Sequence, residues 1–261
     1  MSPPEDSAED LATSPVFDAT TDYWQSILTE EELPISPDPP CQRGYPARLP
    51  DGRFLILPLR AIPTSPTQCV ASLQASHASF KVIETLSAHL ADAARPLNPE
   101  IVVGLPTLGL AFAPLVAANL GFTRYVPFGY SRKYWWYREE LAVPVYSITS
   151  PDVAGKLLYV DPNLVVQLSG KRVLIVDDAV SSGQTMVSAL ELLSKCGAKV
   201  VGIGVAMRQG MTWRERLIDK DGKMIPLAHV FDSPRMVWTR DGWWPETLNG
   251  ASADSERLRI G

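Results

Sequence analysis

The residues of this chain best suited to chemistry are the adjacent Asp177 and Asp178, which end the apolar run Val173–Val176 and precede the polar turn Ser181-Ser182-Gly183-Gln184-Thr185. Neighbouring carboxylates repel one another unless hydroxyl groups, or the water shell of an ion such as magnesium, engage them. The turn supplies the complement. Its small residues let backbone N–H groups approach an anion, Ser181, Ser182 and Thr185 add hydroxyl donors, and a helix opening here presents its positive end. That combination is a phosphate cradle. A ligand with a phosphate at one end and vicinal hydroxyls in its middle satisfies both halves.

The flanking pattern says which elements hold these groups. Val173–Val176 predicts a short strand buried on both faces and ended by the acids, and Met186, Val187, Leu190 and Leu193 fall at helical spacing before a stop at Gly197. A nucleoside-triphosphate loop requires G-x-x-x-x-G-K-[ST] and a dinucleotide fold requires G-x-G-x-x-G; the turn has neither spacing and no Lys. A phospho-acceptor receiver domain also shows an acidic pair after an apolar strand, but it needs several further βα units of roughly 30 residues each. The remaining chain is too short for them and reads as β-rich. A strand that merely ends in two solvated acids would leave the loop chemistry unexplained.

At 261 residues, 46% hydrophobic and 20% charged, the chain suits a large core with an appended subdomain. Its net charge of −5 gives no overall basic face for nucleic acid. Three cysteines without C-x-x-C spacing, and an N-terminus MSPPEDSAED lacking the features of a secretory signal, point to a reducing, cytoplasmic setting. Ile101–Leu120 carries no charge, but Gly104, Pro106, Gly109 and Pro114 interrupt it, so strand-loop-helix is expected rather than a membrane span.

Taken in order, residues 1–15 read as a disordered acidic tail, 16–66 as an N-terminal helix and hairpin, 67–210 as the core and 211–261 as a β-rich aromatic segment. Within these, Phe17–Leu33 predicts a short amphipathic helix carrying Tyr23, Trp24, Ile27 and Leu28, and Pro50-Asp51-Gly52 a hairpin turn before the strand Phe54–Leu59. A long helix is expected from Thr67 to Ala94, with Phe80, Val82, Ile83, Leu86 and Leu90 inward and with His77 and His89 in ordinary polar roles. Core strands are expected at Glu100–Leu105, Arg124–Tyr130, Lys156–Asp161 and Ala198–Ala206. Pro106-Thr107-Leu108 forms a second anion-binding turn after the first of these. The aromatic tail, with Trp213, Trp238, Trp243 and Trp244, suits a hood on the hairpin, a dimer surface or a platform for a flat base. Alternating strands and helices across 98–207 give an α/β fold: a mostly parallel sheet with helices on both faces and a β-rich hood from the terminal regions.

The residues VLIVDDAVSSGQT closely resemble the phosphoribosyl-diphosphate (PRPP) signature of type I phosphoribosyltransferases. That resemblance implies an enzyme transferring ribose 5-phosphate from PRPP to a nitrogenous base with release of pyrophosphate, and a homodimer. It places PRPP on Ala179, Val180, Ser181, Ser182, Gly183, Gln184 and Thr185, with Mg2+ held through the substrate near Asp177 and Asp178. The turn Pro106, Thr107 and Leu108 falls where the family's pyrophosphate loop lies; many relatives carry a charge there, whereas this chain offers backbone donors. Arg132 and Lys133 match a cationic pair in the mobile lid of purine members, so with Asp177 and Asp178 they form the implied catalytic set, and Trp135 or Trp136 would close over the base. Members using 6-oxopurines carry an Asp two residues before the loop Gly, where this chain has Ser181, so an adenine-like purine is favoured. Adenine-specific relatives also place a Glu late in the lid, and here the segment offers Thr149 and Asp152 instead. The alternative is a PRPP-binding regulatory protein without catalysis, against which the acidic pI and the absence of an evident nucleic-acid segment count.

Overall fold

The computed structural model describes residues 22–62, 64–136, 141–145, 156–219 and 221–246. Strands β1 (Gly44–Arg48) and β2 (Phe54–Ile62) form the expected hairpin, with Arg48 opposite Phe54 and Gly52 in the left-handed region at φ 87°. β3 (Ser65–Ala71) pairs antiparallel with β2 and, across its other edge, with β11 (Arg235–Thr239), which pairs in turn with β12 (Gly242–Pro245). The result is an antiparallel five-stranded sheet in the order β1-β2-β3-β11-β12, built from both ends of the chain.

Two expectations fail in this region. The helix expected from Thr67 starts only at α1 (Phe80–Ala94), where the Ser79 hydroxyl caps it by accepting from the Val82 N–H at 3.3 Å. Residues 67–71 become strand because β2, just before them in the chain, and β11, far along it, complete their backbone hydrogen bonds on both sides. Phe80 is 88% exposed, while Val82, Ile83, Leu86 and Leu90 face inward. No helix forms over 22–33 either. Trp24 adopts φ 63° and is buried with its indole N–H on the Ser72 carbonyl (2.9 Å), and Leu28 exchanges backbone hydrogen bonds with Phe54. Trp24 packs into the core and Leu28 makes a single bridge to the small sheet instead. The acidic tail 1–15 lies outside the described residues.

The core comprises β4 (Ile101–Gly104), α2 (Gly109–Asn119), β5 (Val126–Gly129), β6 (Ala142–Pro144), β7 (Leu157–Val160), β8 (Arg172–Val180), α3 (Gln184–Lys195), β9 (Lys199–Gln209) and β10 (Leu227–Ser233). Its seven strands run in the order β10-β9-β8-β4-β5-β7-β6. β10, β9, β8, β4 and β5 are mutually parallel, and β7 and β6 add an antiparallel flank. Alternate residues of the central strands face opposite layers: Val102, Leu174 and Val176 pack with α1 and α2, whereas Val103, Val173 and Ile175 pack with Met186, Ala189, Leu192 and Leu193 of α3. Among the described residues no helix is long and apolar enough to cross a membrane.

The segment 211–246 divides between the two sheets, since β10 joins the core beside β9 while β11 and β12 complete the small sheet. On α3, Val187 is 42% exposed rather than inward, and the buried face includes Ser188, whose hydroxyl donates to the Pro144 carbonyl at 2.8 Å.

Candidate active site

β8 does not stop at the acids. It continues through Asp177, Asp178 and Ala179 to Val180 because β9 keeps pairing with it, Asp177 opposite Val205 and Val180 opposite Arg208. Extended geometry sends successive side chains toward opposite faces, yet the two carboxyls stay close enough to share a side-chain hydrogen bond. Asp177 is 8% exposed and accepts the Asp178 N–H at 2.9 Å and the Gly109 N–H; Asp178 is half-buried. Burial, followed by the charge of Asp178, pushes the Asp177 carboxyl well above its ordinary range, against the pull of those N–H donors. Burial likewise raises Asp178, to about 6. The two carboxyls thus rest on each other and on backbone N–H groups.

The turn Pro106-Thr107-Leu108 lies directly beside them. β4 pairs with β8 up to Gly104 opposite Val176, and the Leu105 N–H extends the ladder to the Val176 carbonyl at 2.9 Å. α2 then starts at Gly109, so close to β8 that a Cβ there would stand 2.7 Å from both the Asp177 Cα and its Oδ1. Only glycine fits at that approach. The peptide bond between Pro106 and Thr107 is cis. Tyr130, at the end of β5, donates its hydroxyl to the Pro106 carbonyl at 2.8 Å; burial and then the field of Asp177 and Asp178 raise that phenol to about 12. The Lys156 ammonium sits 3.5 Å from the centre of the Tyr130 ring. The turn therefore has a cation nearby although it contains none.

On the other side of the acids, Ser181 is exposed, Ser182 accepts the Gln184 N–H on its hydroxyl at 3.4 Å, and Gly183 caps α3 in the left-handed region at φ 78°. Thr185 follows in the first turn of α3, half-buried. The loop, the acids and the Pro106 turn thus meet at the carboxyl ends of β4 and β8, where parallel sheets of this kind bind ligands.

Arg132 and Lys133 follow Tyr130 on an exposed segment. The Arg132 guanidinium donates to the Trp136 carbonyl at 3.1 Å, and the Trp136 N–H to the Lys133 carbonyl at 3.0 Å. Trp135 is 49% exposed and meets Tyr134 edge-on, whereas Trp136 packs near Tyr159, its indole N–H buried without a hydrogen-bond partner among the described residues. Thr149 and Asp152 lie outside the described residues.

No local pattern marks Tyr130, Lys156 or the segment after β9 as parts of the site. In that segment the Thr212 hydroxyl donates to the Ser181 carbonyl and the Arg216 guanidinium to the Ser182 carbonyl, each at 2.9 Å. Trp213, 2% exposed, lies under Gly183. An aromatic with flanking arginines was the available signal, but its reach to a loop some thirty residues upstream is a tertiary fact.

The family model described as "Phosphoribosyl transferase domain" matches residues 70–232. The chain belongs to that phosphoribosyltransferase family. It is similar to the adenine phosphoribosyltransferase of Bifidobacterium longum, 29% identical over 186 residues covering 66% of this chain and 86% of the relative. It is also similar to the xanthine phosphoribosyltransferase of Geobacillus thermodenitrificans, 30% identical over 137 residues covering 51% and 66%. Among solved structures, the Giardia lamblia APRTase complexed with 9-deazaadenine shares the fold with a TM-score of 0.52 at 21% identity, over 67% of this chain and 93% of that one.

Among the described residues no three His, Cys, Asp or Glu side chains form a metal cage. The site nevertheless fits magnesium held largely by a substrate, because that ion keeps several waters and takes one or two carboxylates together with phosphate oxygens. Asp178, half-buried and raised, would be the group to meet its water shell.

Proposed function

We propose that this phosphoribosyltransferase takes PRPP and a purine, with a 6-amino purine such as adenine favoured, and forms the nucleoside monophosphate with release of pyrophosphate. The observation that carries this reading is the pair of raised carboxyls between a glycine-capped helix start and a second turn at the Pro106 carbonyl. Ser181–Thr185 bind the 5-phosphate through backbone and hydroxyl donors. Asp177 and Asp178 accept the ribose hydroxyls. The Pro106 turn, with Lys156 on Tyr130 and Arg132 and Lys133 from the lid, receives the diphosphate. Magnesium supplies charge neutralisation on that diphosphate.

As the bond between C1 of the ribose and the diphosphate oxygen breaks, its electron pair leaves with the diphosphate, a base nitrogen donates the pair that forms the new bond, and the ring N–H proton of the purine passes to solvent. Positive charge develops on the ribose in between, so the carboxylates stabilise it while the cations stabilise the leaving group. Ser181 occupies the position where a carboxylate would serve a 6-oxopurine, and a hydroxyl is no base near neutral pH. The relatives include both adenine and xanthine enzymes by name, so the base is the quantity to test.

Pyrophosphate release should be measured with Mg-PRPP across adenine, hypoxanthine, guanine, xanthine and orotate. Turnover of adenine above the others is expected. Robust turnover of hypoxanthine, xanthine or orotate without adenine would overturn the base assignment, and tight Mg-PRPP binding with no turnover of any base would favour the regulatory alternative.

A further inference from the structure

The phosphate loop is gripped from behind by the segment after β9. Thr212 holds the Ser181 carbonyl and Arg216 the Ser182 carbonyl, each at 2.9 Å. In a trans peptide the carbonyl and the following N–H point in opposite directions. Tying these two carbonyls back therefore aims the N–H groups of Ser182 and Gly183 forward, into the cradle. The guanidinium also polarises the Ser182–Gly183 peptide and strengthens the donor on its far side.

The grip is itself anchored. Thr212–Glu215 form a single helical turn, from which the Arg216 and Leu217 N–H groups bond the Trp213 carbonyl at 3.1 Å. The Trp213 indole bonds the Gly210 carbonyl at 2.9 Å, and the Arg208 and Arg214 guanidinium carbons stand 5.9 and 5.6 Å from its ring centre. Trp213 backbone and Cβ atoms lie 3.4 Å from where a Cβ on Gly183 would project. Trp213 thus sets how far the loop can retreat, while the two donors set which way it faces.

We propose that Thr212 and Arg216 are positioning residues that hold the loop in its phosphate-accepting form, with Trp213 as their floor. The inference rests on the phosphate-binding reading of Ser181–Thr185, and two ligands separate it from that reading. Ribose 5-phosphate probes the loop, and Mg-pyrophosphate probes the Pro106 side. Calorimetric titration of Thr212→Val and Arg216→Ala in the full chain should show ribose 5-phosphate affinity falling by roughly fivefold in each, the equivalent of one modest hydrogen bond. Mg-pyrophosphate affinity should stay unchanged. Arg216→Lys should recover part of the loss, and amide hydrogen exchange at Ser182 and Gly183 should quicken in both primary variants.

Loss of both ligands together, or of neither, overturns the proposal. If the wild-type chain binds no ribose 5-phosphate, the phosphate reading falls, and amide exchange still judges the grip: quickened exchange supports it and unchanged exchange overturns it.

Discussion

Replacing Asp178 by Asn should stabilise the free protein at neutral pH while damaging turnover. The fold holds this carboxyl at about 6 rather than at its ordinary 3.8, and burial is the main cause. At about 1.4 kcal/mol per pKa unit, keeping it ionised at pH 7 costs the folded state roughly 3 kcal/mol. Asn keeps the shape and removes the charge, but it weakens the side-chain hydrogen bond shared with Asp177 and the bond accepted from the Ala179 N–H, so a net gain of about 1–2 kcal/mol is expected. For a chain of this size that is a rise of roughly 2–8 °C in Tm. The sign follows from the folded value lying above the unfolded one. The penalty is absent below about 3.8, grows as pH rises through the window to about 6, and is complete above it. Scanning calorimetry of both proteins from acidic to neutral pH should therefore show the gap between their melting temperatures closing as pH falls through that window. A variant that melts below wild type at neutral pH, or by the same difference at every pH, would refute the electrostatic account; unimpaired turnover would refute the ribose or metal role.

Binding Mg-PRPP should bring hydroxyl donors and a cation to the acids and lower both pKa values, so near pH 6 it should release protons, read as a dependence of titration heat on buffer ionisation enthalpy. Gly183→Val forces a branched residue to φ 78° with its Cβ against Trp213, and should cost about 1–3 kcal/mol in chemical denaturation and abolish PRPP binding. Tyr130→Phe frees the Pro106 carbonyl and Lys156→Met removes the cation from the Tyr130 ring; both should weaken Mg-pyrophosphate in calorimetry with ribose 5-phosphate unaffected. Arg132→Ala and Lys133→Ala should lower kcat more than PRPP affinity in steady-state assays, as cations that act on charge developing during the reaction would.

The central unit was legible because its signals are local. Val173–Val176, the acids, the polar turn and the α3 periodicity all lie within one stretch of chain, and Pro50-Asp51-Gly52 marked its hairpin for the same reason. What escaped was decided at long range. β8 runs past the acids only because β9 offers partners as far as Arg208, and the strand over 67–71 has its second edge closed by β11, far along the chain. Trp24 and Leu28 share a helical spacing, yet one fills the core under the Ser72 carbonyl while the other completes a bridge to Phe54. Gly109 was noted as a break in an apolar run; its tight approach to Asp177 needed two strands in register.

The small sheet joins Cys69 on β3 to Met236 on β11, so its middle seam depends on segments made early and late. During synthesis from the N-terminus, β1, β2 and β3 leave the ribosome long before their last partners exist. Through that interval the outer edge of β3 presents unpaired N–H and C=O groups, a template for pairing with other chains. The core meets the same delay at β10, which closes the far side of β9. A chain that lacks residue 235 onward would therefore leave the outer edge of β3 open, and the docking of β11 is the step that closes it.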